Sequence, residues 1–317
     1  MWQKRQVKLL KEEVQAAISS LSNTPDFYNL VKESLTRTKY GLDSVNANEK
    51  PWPLLPLMVC EAISGRYEHA LPAAAALHLI KVSAEIFDDI EDADSPGSLS
   101  ARYGSASATN VATTFLVLAE NAITRLNTRH VESDIVIRIV DIVNSSLATA
   151  CIGQYLDLSL LQEKSVSEDI YLEVLNMKSA FITACACRVG ALLAKANRQL
   201  IDTFTTFGQH LGMASQIAND ILGITQGNDI LKRKVTLPLI YALAKADNKT
   251  RSKLNLTFGK QSGLAPDTTL IKELLFNTGA IHYATIKMEV YKQKALDILL
   301  KAEKMKTDTK RLKLFLE

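Results

Sequence analysis

Residues 71–92, LPAAAALHLIKVSAEIFDDIED, decide how the chain is read. Leu71 to Phe87 is mostly apolar, so a helix buried on most sides is expected. At 3.6 residues per turn, Glu85, Asp88, Asp89 and Asp92 fall at i, i+3, i+4 and i+7, which puts four carboxylates on one helix face. Like charges that close destabilise a helix unless a cation sits among them. Carboxylate oxygens are hard ligands, and Mg²⁺ is commonly held by one or two of them together with substrate phosphates. The face therefore reads as a metal bridge to a diphosphate. A solvated acidic helix end would account for Asp92 and Asp94, but carboxylates on the buried part of a helix need a partner.

The rest of the chain has the same helical period. With 13 glycines and 8 prolines in 317 residues, and few alternating runs, the spacing predicts helices at about 3–22, 26–38, 54–65, 70–92, 106–129, 132–160, 167–196, 199–223, 235–247, 266–277 and 279–305. Turn chemistry marks the breaks at Asp43 to Pro53, Ala93 to Arg102, Thr225 to Asp229 and Ala246 to Pro266. No linker, repeat or low-complexity tract divides the chain, so residues 1–317 are expected to form one all-α domain, a large bundle around a central apolar cavity.

Composition narrows the function. A net charge of +3 argues against nucleic acid. The four cysteines, Cys60, Cys151, Cys185 and Cys187, lie in apolar helical sequence without zinc spacing and read as buried thiols of a reducing compartment. The amphipathic N-terminus lacks a signal peptide's apolar block, and His78, Lys81, Arg188 and Lys195 interrupt the longest apolar runs. A soluble cytoplasmic protein with no integral membrane segment is the expectation.

Three more polar islands interrupt apolar helices. Gln154 and Asp157 are i, i+3 neighbours in GQYLD; Lys178 stands alone in NMKSAFITACAC; Gln216, Asn219 and Asp220 share a face in SQIAND. Singly, each has an ordinary explanation: a helix-helix hydrogen bond, a lysine reaching for solvent, a capped helix end. A buried lysine, however, needs an anion, and a second acidic patch would face the first across the bundle.

At these residues the chain resembles the trans-isoprenyl diphosphate synthases, from about Pro53 to the helix after Pro238. FDDIED looks like the family's first aspartate-rich motif, GQYLD like its Gly-Gln-x-x-Asp segment, and Met177-Lys178-Ser179 like its Lys-Thr segment. SQIANDILG looks like the second aspartate-rich motif, and KVTLPLIYAL, from Lys234, like the segment after it. The resemblance implies an all-α isoprenoid-synthase fold, a homodimer, and three Mg²⁺ ions bound with the diphosphate of an allylic substrate. Asp88, Asp89, Asp92, Asn219 and Asp220 would hold metal. Lys178, Gln154, Asp88 and Asp89 would serve ionisation of the C–O bond, with Lys178 at the leaving group and Gln154 near the cation. Gln216 and Lys234 would contribute to substrate binding.

Departures from the pattern fall on the acceptor side. The segment that grips isopentenyl diphosphate in the family reads Glu49-Lys50-Pro51-Trp52-Pro53 here, with glutamate for its lysine and tryptophan for its arginine. Lys81 stands at the acceptor-binding histidine, and only Arg102 remains where an arginine pair is expected. Lys50, Lys81 and Arg102 could rebuild part of this clamp. In the second motif the first aspartate is Asn219 and the last is Gly223, and a lysine-bearing stretch before Asp229 is missing. Asn219-Asp220, the short loop and Asn228-Asp229 before the Lys234 run resemble the peptide-pheromone tryptophan prenyltransferases of bacterial quorum sensing, from which Gly223 departs too, so that the chemistry and not the partner is carried over.

The expected activity is that of a class I prenyltransferase passing an allylic group to isopentenyl diphosphate or to an acceptor without a diphosphate. A terpene cyclase is one rival, although Gly223 and Gly227 stand where it would want Ser or Thr and Glu; a silent partner subunit is another, against which the intact first motif speaks. Ser83 and Ala84, one turn before Asp88 and beside Phe87, would line the chain pocket. Both are small, so the donor should reach fifteen to twenty carbons or more.

Overall fold

The computed structural model describes residues 2–38, 42, 52–92, 97–160, 166–258 and 266–317, and for Trp2, Gln3 and Asp92 the backbone alone. Among these residues the chain is helical, without strands. Helices α1 (Trp2–Ile18), α2 (Pro25–Arg37), α3 (Leu55–Ser64), α4 (Leu71–Asp92), α5 (Leu99–Tyr103) and α6 (Ser105–Thr124) lead to the long α7 (Ser133–Leu160). There follow α8 (Glu168–Leu175), α9 (Phe181–Leu193), α10 (Arg198–Gln226), α11 (Asn228–Leu231), α12 (Leu237–Lys245), α13 (Asn248–Phe258), α14 (Thr268–Asn277), α15 (Ala280–Glu303) and α16 (Lys310–Lys313).

The alanine run of the helix expected to be buried on most sides is buried. Ala73, Ala74, Ala75 and Ala76 are at most 1% exposed, and small side chains there let α4 lie close to α6. Helix α10 packs on α9 and α15, and α3 on α9. A large core joins α1, α3, α4, α6 and α9, while a second cluster, with Tyr171, Val174, Met213, Ile217, Leu237 and Ala284, lies beneath the polar groups described below. Helix starts follow the sequence: Ser167, Asn197 and Asp267 each accept a bond from the N–H three residues on.

Several expectations need correction. The break assigned to Ala246–Pro266 contains α13, whose sequence NKTRSKLNLTF has no apolar stripe and buries only Leu254. It is held by local polar contacts: Thr250 N–H donates to Asp247 at 2.7 Å, and Arg251 caps the Leu243 and Ala246 carbonyls at 2.9 Å. The single helix predicted at 167–196 is interrupted by a π-helical turn at Asn176–Ala180. Cys151 is exposed, because it sits on the open side of α7; the other three thiols are buried.

Three stretches, Glu68–Glu91, Ser133–Leu160 and Glu168–Leu193, are long and apolar enough to cross a membrane by length and composition, contrary to the reading that single charges exclude this. The first is 78% buried within the bundle over its most apolar window, whereas the second is only 28% buried. Exposed Ile137, Ile152 and Tyr155 lie on this poorly covered helix α7.

Candidate active site

The polar islands of α4, α7, the π turn and α10 converge. Lys178 Nζ donates to Asp157 at 2.8 Å and lies 4.0 Å from Asp88, with its side chain 21% exposed. One ammonium thus joins the first acidic motif to the Gly-Gln-x-x-Asp segment. From α7, Gln154 Nε2 donates to Glu91 on α4, and its buried carbonyl oxygen has no partner.

Two features of the local sequence bring Lys178 there. A π turn inserts an extra residue into the helix and is often found at functional sites. The turn also lies against helix backbones bared by glycine. A Cβ on Gly153 would meet the Lys178 backbone nitrogen and come within 2.8 Å of its Cα, while one on Gly212 would lie 2.6 Å from the Ala180 Cα. Only residues without a side chain permit such an approach on both sides.

Across the site, Asp220 is 7% exposed. It accepts from the Tyr171 hydroxyl and from Gln216 Nε2 at 3.3 Å, while Gln216 Oε1 accepts from Ser179 at 2.9 Å. Burial pushes the Asp220 carboxyl well above the ordinary carboxylate range, reinforced by the negative charges of Asp229 and Asp157 and opposed by the Leu237 N–H and Lys234. Such a group retains a proton that the unfolded chain releases near its ordinary value of about 4. Its contribution to stability is therefore full below that value and is lost as pH rises toward the higher folded value. Asp220→Asn is expected to raise the melting temperature without added divalent ion, by a margin that widens as pH climbs from about 4 toward neutrality. A margin flat with pH would contradict this electrostatic picture.

Other predicted site residues are placed less uniformly. Asp89, Lys81, Phe87 and Lys234 are half-buried, Asp88 is about half exposed, and Asn219 is exposed, apart from buried Asp220 on the same helix. Glu85, read as part of the acidic face, accepts from Thr38 at the end of α2. Ala84 is exposed, but Ser83 is turned into the α4–α6 contact, donating to the Ala112 carbonyl at 2.8 Å. Arg102 pairs with Glu33 on α2 and donates to Tyr103 at 3.2 Å, so it is committed to holding α5. Lys50 and the Asp92 side chain lie outside the described residues. The sequence reading missed Tyr171, Glu91 and Gly153; Tyr171 stands two helical turns before Lys178 on a helix whose buried hydroxyl needed a partner.

Carboxylate and carboxamide oxygens make up the donor set, which is the chemistry Mg²⁺ prefers. No three acidic, histidine or cysteine side chains among the described residues are arranged to cage an ion by themselves. Such a donor set suits an ion whose coordination is completed by phosphate oxygens.

The all-helical bundle that carries these groups has the fold of the isoprenyl synthases. The chain belongs to the polyprenyl synthetase family, whose model matches residues 50–274, and it is a prenyltransferase. It is 27% identical over 291 residues to a geranylgeranyl diphosphate synthase of Methanosarcina mazei, covering 88% of this chain and 85% of that one. It is 28% identical over 269 residues to a short chain isoprenyl diphosphate synthase of Methanothermobacter thermautotrophicus, covering 81% of each. In structure it is similar to a geranylgeranyl pyrophosphate synthetase from Pyrococcus horikoshii, with a TM-score of 0.84 at 23% identity over 99% of this chain and 94% of that one, a likeness of fold.

Proposed function

We propose that this chain is a Mg²⁺-dependent class I prenyltransferase that ionises an allylic isoprenyl diphosphate. The observation that carries the reading is Lys178, held between Asp157 and Asp88 at the meeting of three segments. Asp88, Asp89, Asp92 and Asp220 would hold Mg²⁺, with Asn219 as a neutral oxygen ligand. When bound, the metal supplies Lewis-acid neutralisation of the departing diphosphate. Lys178 donates to the same leaving group, Gln154 sets its carbonyl dipole near the allylic end, and the apolar helices exclude water. Because ionisation needs no nucleophilic side chain, the buried cysteines have no part in it.

The acceptor is read from the other side of the site. Arg102 is paired with Glu33, and Trp52, in place of a diphosphate-gripping arginine, directs its indole N–H toward Thr183 Oγ1 at 3.4 Å. Each lost charge-assisted bond weakens an anionic acceptor by about 1.5–3 kcal/mol. These contacts favour an acceptor without a diphosphate, whereas the names of the relatives favour isopentenyl diphosphate. Incubation with farnesyl or geranylgeranyl diphosphate, with and without isopentenyl diphosphate, separates them. Longer diphosphates only when isopentenyl diphosphate is present mean chain elongation. Diphosphate release regardless of it means a different nucleophile, or cyclisation by the substrate's own double bonds.

A donor of fifteen to twenty carbons or more is supported by the small residue at Ala84 one turn before Asp88. Ala84→Phe is expected to shorten the largest donor accepted, scored by competition among donors of graded length; an unchanged range would contradict this placement of the pocket. The apolar, poorly covered α7 supports a homodimer, with a cytoplasmic, single-domain protein the accompanying reading.

A further inference from the structure

Gly223 is the last position of the second acidic segment, where the resemblance leads one to expect aspartate. The position is not simply open space. A Cβ built on Gly223 would run into the carboxylate of Asp229, with Oδ1 2.8 Å away and the other two atoms nearer still. The missing side chain at 223 and the carboxylate of 229 therefore occupy one place.

The chain path explains how. Helix α10 is capped by Gly227, whose φ of +94° is suited to glycine, and α11 begins at the next residue. This reversal folds Asp229 back over the turn of α10 that follows Asp220. The Lys234 N–H donates to the Asp229 carbonyl at 2.9 Å and fixes the return. The Leu237 N–H faces the Asp220 carboxylate and favours its charged form. Thr236, between them and 3% exposed, has a hydroxyl without a partner. Two carboxylates and Lys234 thus lie around one small region.

We propose that Asp229 replaces the carboxylate lost at position 223, so that the second metal–diphosphate face of this chain is built from Asp220 on α10 and Asp229 on α11. The assignment rests on the Mg²⁺-diphosphate reading above. It gives Gly223 a purpose: a side chain there would displace the substitute. The shortened loop before Asp229 has the same sense, since a longer one would let Asp229 move away from α10.

Calorimetric titration of the full chain with Mg²⁺ and inorganic pyrophosphate tests this, using wild type, Asp88→Ala, Asp229→Ala and the relocated pair Gly223→Asp with Asp229→Ala. Asp229→Ala is expected to weaken Mg²⁺-dependent pyrophosphate binding about 10- to 100-fold, and the relocated pair to recover most of that loss. Melting curves without divalent ion establish that each variant is folded. If Asp229→Ala binds like wild type, or if the folded relocated pair binds no better than Asp229→Ala, Asp229 has only a structural role in α11 and the proposal is overturned. Absence of Mg²⁺-dependent binding by wild type would overturn the Mg²⁺-diphosphate reading and the assignment with it. Loss in Asp88→Ala but not in Asp229→Ala would leave that reading standing and remove the assignment alone.

Discussion

Asp88→Ala is expected to lower Mg²⁺-dependent diphosphate release from an allylic diphosphate by about 10³-fold, the scale seen when one preorganised electrostatic group is removed from a reacting centre. The Asp88 side chain is about half exposed, so its loss should change stability by no more than about 0.5 kcal/mol. A folded protein with an unchanged melting temperature and nearly no turnover is the predicted result. Lys178 would retain Asp157 as its partner, which confines the damage to the metal-binding side. Full activity would show that the first acidic motif is the solvated helix end that the sequence also allows.

Gly153→Ala should damage both the fold and the chemistry. The added methyl would collide with the Lys178 backbone nitrogen and lie 2.8 Å from the Met177 carbonyl carbon and the Lys178 Cα, atoms that cannot yield as a flexible side chain does. Overpacking of this kind costs about 1–3 kcal/mol. Relief requires α7 and the π turn to separate, and a displacement of about 1 Å at a reacting group can cost about 10²-fold in rate. The expected outcome is a lowered melting temperature together with a fall in kcat greater than that in substrate affinity. Wild-type kcat in this variant would mean that the close approach of the two backbones does not position Lys178.

The four polar islands were legible because each interrupts a long apolar helix, and a buried charge without a partner has few explanations. Lys178 was legible for the same reason. What periodicity could not supply was the means of placement. A π turn keeps the same hydrophobic pattern on either side of it, and Gly153 reads as an ordinary weak point of a helix until the helix facing it is known. Tyr171 carries no signal of its own in the sequence, because its bond to Asp220 joins residues 49 apart. Helix α13 was hidden because capping and arginine-carbonyl bonds maintain it, rather than an apolar stripe. The pairing of Arg102 was hidden because its partner, Glu33, is remote in sequence. Asp229 shows the same limit at a deeper level: in the sequence Gly223 is a loss, whereas in three dimensions its place is taken.

The most direct test of the central claim is release of inorganic diphosphate by the purified full chain from farnesyl or geranylgeranyl diphosphate, with Mg²⁺ and with the ion removed by chelation. Release that requires Mg²⁺ and is lost in Asp88→Ala is the predicted result. No release from any allylic diphosphate in the presence of Mg²⁺, by a folded protein, would contradict it.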